Sequence, residues 1–219
     1  MDLKLLAACV AIWFAGVGYA VFYLVPPAEG LGVLVRLAFF HIPVAWVSVL
    51  AFLVAATGAG LYLKTRRTWY DCLSACSARL GFVFCLLATG SGALFAKLTW
   101  GAYWNWDPRE TTVFALLLIY GAYLALRTAI EDEERRAAIS AVYSLLAVAT
   151  VPFLVFVMPR MYSSLHPEPV LNSAGKLAIE PIMLYVLLAA VGAFTALYGL
   201  LLMRSVTNSA LARERGIPL

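Results

Sequence analysis

Charge is what this sequence has little of. Asp, Glu, Lys and Arg make up 13% of its 219 residues, about half the share of a soluble domain, while hydrophobic residues reach 63%. With a mean hydropathy of +0.89, a water-facing globular surface cannot be covered, and a soluble enzyme or a disordered chain is excluded. Cysteine is also scarce: Cys9, Cys72, Cys76 and Cys85 form no C-x-x-C or C-x-x-C-H. A disulfide-stapled secreted domain, a thioredoxin-type redox pair and covalent heme attachment therefore find no support. Histidine is rarer still, with His41 and His166 alone. No acidic or basic residue lies deep in an apolar run, which leaves a proton relay or a charged ion pathway without a carrier.

What is present is a series of apolar blocks long enough to cross a hydrocarbon core about 30 Å thick. The runs at about 5–25, 37–63, 80–95, 111–126, 137–158 and 177–203 predict an all-α integral membrane protein, a single domain over 1–219 with six spans. Lys4 alone precedes the first run, which continues past a weak small-x-small site at Gly18-Tyr19-Ala20 and reads as a retained anchor. Cys72 and Cys76 fall in a basic connection between the second and third runs. The glycine pairs Gly16/Gly18, Gly58/Gly60 and Gly90/Gly92 read as helix-packing surfaces, and Pro152 as a kink in span five.

The basic residues alternate from side to side. Eleven of the 16 (Lys4, Lys64, Arg66, Arg67, Arg79, Arg127, Arg135, Arg136, Arg204, Arg213 and Arg215) fall on one side, and Arg36, Lys97, Arg109, Arg160 and Lys176 on the other. Because Lys and Arg collect in the cytoplasm, both termini are expected inside. His41, His166 and the connection between spans three and four then all meet the outer surface.

That connection, about 97–112, holds Trp100-Gly-Ala-Tyr103-Trp104-Asn-Trp106-Asp107-Pro108-Arg109-Glu110. A short helix there would set Trp100, Tyr103 and Trp104 on one face. A membrane-interface belt explains one or two such aromatics, not four in seven residues. The alternative is an apolar platform for a flat macrocycle. Asp107, Pro108 and Glu110 fit the N-cap, N1 and N3 positions of span four. Arg109 is a cation at a helix N-terminus, disfavoured unless it faces an anion. Two imidazoles flanking an aromatic platform suit axial ligation of heme iron, with Arg109 or Arg160 pairing the propionates.

The Trp100-Gly-x-x-Trp104-x-Trp106-Asp107 stretch resembles the tryptophan-rich WWD signature of the heme-handling superfamily, which covers CcmC, CcmF and CcsA-type cytochrome c synthases. Six spans, chain length and Pro159-Arg160…Ser164-Leu165-His166-Pro167 resemble specifically the CcmC family of system I cytochrome c maturation. The resemblance implies non-covalent heme b at the outer face of a bacterial cytoplasmic membrane. It also implies iron ligation by His41 and His166 and transfer to the heme chaperone CcmE. CcmA and CcmB (ABC transporter subunits) and CcmD would be partners. The Asp107–Thr111 stretch is closer to the ending of the CcsA and CcmF types, so a short CcsA/CcmF-like synthase component stays open, as does a heme exporter permease. Two histidines allow one bis-histidine site at most, which favours CcmC. No nucleophile–base pair is present, so the reading is a heme-transfer protein, not an enzyme on its own.

Overall fold

The computed structural model describes residues 3–166 and 179–214. Lys176, Arg215, Pro167 and positions 177–178 of the expected sixth span lie outside the described residues. Helix α1 (Leu3–Tyr19) runs into a wider turn over Ala20–Leu24, closed by Val25 N–H donating to Ala20 O at 3.1 Å. A short 3₁₀ turn, Val33–Leu37, leads into α2 (Ala38–Thr65). Then come α3 (Thr68–Trp100), α4 (Pro108–Ala129) and α5 (Glu133–Pro152). A second widened turn, Phe153–Val157, and the short α6 (Met158–Met161) continue the fifth crossing, and α7 (Pro181–Glu214) is the sixth. Six helical stretches are long and apolar enough to cross a membrane, and the protein is a six-helix membrane bundle.

Helix α2 is the centre, packed against α3, α5 and α7. Its buried face is built of small residues, among them Ala51, Ala55, Gly58 and Ala59, and meets Ser74, Ala75, Ser77, Ala78 and Gly81 of α3. Small side chains let backbones approach where no water drives association. A Cβ at Gly58 would lie 3.0 Å from the Tyr70 carbonyl, so this glycine is needed for the α2–α3 contact. Gly16 and Gly18, read from the sequence as a packing pair, have no neighbour within 4 Å of an added Cβ and do not serve that role among the described residues. Large apolar side chains such as Ile12, Leu146 and Leu188 point outward, as lipid-facing residues do.

The helices extend past the apolar runs. Helix α3 begins at Thr68, where its uncharged run starts only at 80. The extension carries Asp71, 4% exposed, whose two carboxylate oxygens accept from Arg127 of α4 at 2.7 and 2.9 Å. Cys72 and Cys76 are therefore helical and not in a loop, with Cys76 buried. At Pro152, α5 gives way to the widened turn; proline removes an amide donor there.

Candidate functional site

Helix α3 ends at Gly101, whose φ of +86° is left-handed and whose N–H donates to Lys97 O at 3.2 Å. Glycine takes this conformation without a Cβ penalty. The end of the helix here corrects one expectation: residues 101–107 are not helical, so Trp100, Tyr103 and Trp104 do not share a helical face. Each aromatic has its own contact instead. Trp100 meets the His166 ring edge-on at 4.9 Å between centroids, and Trp104 packs against Trp106 and Phe114 at 5.8 Å each. Tyr103 lies under the Lys97 ammonium at 5.6 Å. Trp106 adopts φ +56°, an uncommon backbone state for a bulky residue, and its indole is 74% exposed.

Asp107 is the hinge of the site. Its backbone carbonyl accepts the first bond of α4, from Thr111 N–H at 2.9 Å, and its Oδ1 caps the helix by accepting from Arg109 N–H at 2.9 Å. Pro108 occupies the first helical position. Glu110 Oε2 accepts from Asn105 N–H at 2.8 Å, two residues upstream of where a capping box reaches, so Glu110 ties down the loop itself. The Asp107 carboxylate also crosses to the segment before residue 167. Oδ2 accepts from Leu165 N–H at 2.7 Å and from the Ser164 hydroxyl at 2.8 Å, and Oδ1 lies 2.9 Å from His166 Nδ1. Burial opposes ionisation of Asp107, but these donors outweigh it and hold its carboxyl below the usual carboxylate range.

His166 titrates below the usual histidine range because it is buried, with Arg109 adding to the effect and Asp107 opposing it. The imidazole is therefore neutral at pH 7, with Nδ1–H donated to Asp107 and a lone pair on Nε2. His41 sits in the first turn of α2 and faces α3. Its Nδ1 is 2.9 Å from Ser91 Oγ, whose hydroxyl is within 2.8 Å of the Leu87 carbonyl. With that hydroxyl donating to Leu87, Ser91 accepts from Nδ1–H, the same arrangement as at His166. The ring lies on Gly92, where an added Cβ would come within 3.1 Å of Cε1.

Of the residues singled out in the sequence, His41, His166, Trp100, Asp107 and Arg109 gather at one end of the bundle. Tyr103, Trp104 and Trp106 rim it. Arg160 is exposed, donates to Phe156 O at 2.6 Å, and lies within electrostatic reach of Arg109. Sequence reasoning missed Ser91 and Gly92, read as part of a span and a packing pair, and gave no role to Ser164, which it quoted only within the Ser164-Leu165-His166-Pro167 stretch.

Among the described residues no group of three His, Cys, Asp or Glu side chains is placed to chelate a metal. His41 and His166 each have Nδ1 engaged by the protein, through Ser91 and Asp107 at 2.9 Å, the kind of contact that orients an imidazole ligand.

The model of the family "Heme exporter protein C", CcmC, matches residues 2–218. Heme exporter protein C of Bradyrhizobium diazoefficiens is 31% identical over 209 residues, 95% of this chain and 79% of that protein. The Escherichia coli K12 protein of the same name is 25% identical over 206 residues, 94% and 80% of the two chains. A shorter stretch of 58 residues, 26% of this chain, is 48% identical to the cytochrome c biogenesis protein CcsA of Ranunculus macranthus and covers 18% of it. The chain belongs to the CcmC family, membrane proteins that handle heme in cytochrome c biogenesis.

Proposed function

We propose that this chain holds heme b, as cargo, at the outer face of a bacterial cytoplasmic membrane and presents it to the periplasmic chaperone CcmE. His41 and His166 supply the axial nitrogens through Nε2. Trp100, Trp104 and Trp106, with Tyr103 at the rim, supply the apolar surface, and Arg109 and Arg160 pair with the propionates. The observation that carries this reading is the matched engagement of both Nδ1 atoms, by Ser91 at 2.9 Å and Asp107 at 2.9 Å. Fixing one ring nitrogen selects the tautomer whose other nitrogen is free to ligate.

Filling both axial positions of the iron argues against oxygen chemistry and for transfer, so the chain is not proposed to be an enzyme on its own. The ABC subunits CcmA and CcmB and the small protein CcmD are the partners that family membership suggests. A synthase-like role needs a second histidine pair, which a chain with two histidines does not have.

Protein purified from heme-replete membranes is expected to show a bis-imidazole Soret and α-band spectrum. His41→Gly and His166→Gly each lose most of the heme and regain part of it with added imidazole, which enters the space left by the ring. Unchanged heme content in both variants would falsify the ligand assignment. Co-purification with a heme-loaded periplasmic partner separates presentation from simple heme storage.

A further inference from the structure

The bundle end opposite the histidines holds a cavity of about 430 Å³. Its walls come from the start of α3, the end of α4, the start of α5 and the end of α7, and include Cys72, Cys76, Arg79, Arg127, Arg136 and Ser209. Asp71 is the single carboxylate in the lining, and both its oxygens are already taken by Arg127. Arg136 meets Glu133 only at 3.5 Å, and the Glu133 side chain is 58% exposed. Arg79 has no ion-pair partner among the described residues. The cavity therefore carries net positive charge, with Leu124 and Ala75 as an apolar wall.

Depth points to the occupant. Helix α3 has 33 residues, about 50 Å at 1.5 Å per residue, against a hydrocarbon core of about 30 Å. The polar stretch from Thr68 to Arg79 supplies much of the excess and lies at headgroup level. A basic pocket between helix ends at that depth has the features that bind anionic lipid heads.

We infer that this cavity is a binding site for the phosphodiester headgroup of an anionic phospholipid, held by Arg79 and Arg136, with the Asp71–Arg127 pair as its fixed floor. Guanidinium forks match phosphate oxygens two at a time, and the apolar wall takes the start of an acyl chain. The site is independent of the heme reading, because no residue is shared between them.

The test is a lipid titration of the detergent-purified full chain followed by native mass spectrometry, with phosphatidylglycerol and phosphatidylcholine of identical acyl chains. Phosphatidylglycerol is expected to bind more tightly. Arg79→Gln and Arg136→Gln each weaken it about five-fold, and the double variant about 25-fold. Arg204→Gln, the same charge change outside the cavity lining, leaves it unaltered. Equal binding of the two lipids, or variants indistinguishable from the parent chain, overturns the site. Inorganic phosphate displacing the lipid at equal concentration overturns the lipid as occupant and assigns the cavity to a soluble anion. Circular dichroism of each variant confirms that helix content is kept.

Discussion

Asp107 shows how one side chain can set both the shape and the chemistry of a site. It is 4% exposed, and its two oxygens face the Arg109 and Leu165 amides, the Ser164 hydroxyl and the His166 ring. An alanine there removes a helix cap, worth about 1 kcal/mol, and leaves buried donors unsatisfied at about 1–3 kcal/mol each. It also frees the His166 ring to flip its tautomer. Asp107→Ala is therefore expected to lower heme affinity about 10–100-fold, as loss of an outer-shell partner does, and to lower thermal stability as well. Ser91→Ala isolates the orienting effect at His41. The Ser91 hydroxyl caps no helix and its loss strands a single donor, His41 Nδ1–H, so this variant should lose about ten-fold in heme affinity with a smaller fall in melting temperature than Asp107→Ala, and Ser91→Thr should restore the affinity. Soret titration and a thermal melt on each variant check both statements. A Ser91→Ala protein that binds heme like the parent chain would remove Ser91 from the site.

Helix α3 links the two ends of the molecule and marks the limit of what sequence reading reached. Its apolar centre is plain from hydropathy, and so are the Asp107-Pro108 start of α4 and the six crossings. Its first three turns are not, because Asp71 and Arg127 look like charges that end a span. They neutralise each other across 56 positions of sequence, and local composition carries no trace of a long-range pair. At the other end, the i, i+3, i+4 spacing of Trp100, Tyr103 and Trp104 suggested a helix that Gly101 stops. The signal was present, since glycine is the usual left-handed C-cap, but aromatic periodicity outweighed it. Gly92 had the same fate: a glycine beside a span glycine reads as helix packing, and only the fold brings His41 onto it. Gly101→Ala tests the stop. The left-handed φ of +86° costs an alanine about 1–2 kcal/mol, and extending α3 by a turn would pull Trp104 away from Phe114. The variant should melt at a lower temperature and bind heme less tightly, by a calorimetric scan and the same Soret titration. A protein as stable as the parent chain would mean that this residue does not fix the loop.

Across the whole molecule, the two ends are chemically opposite. One gathers both histidines and Trp100, Trp104 and Trp106 with a few cations; the other gathers arginines around the Asp71–Arg127 pair. Such polarity has a direction in a membrane, because basic connections are retained in the cytoplasm. With eleven of 16 basic residues on the arginine side, this tendency predicts a histidine end that faces outward. Presentation to a periplasmic chaperone depends on that direction, whereas heme binding alone does not. The orientation can be read with single cysteines in a background where Cys9, Cys72, Cys76 and Cys85 are replaced by serine or alanine. Tyr103 is 60% exposed in the tryptophan loop, and Glu131 is exposed in the α4–α5 connection. A membrane-impermeant maleimide should label Tyr103→Cys in intact spheroplasts and Glu131→Cys only after lysis. If the pattern is reversed while heme still binds through His41 and His166, the ligand set stands, but the heme is offered to the cytoplasm. Delivery to CcmE would then be excluded by geometry alone.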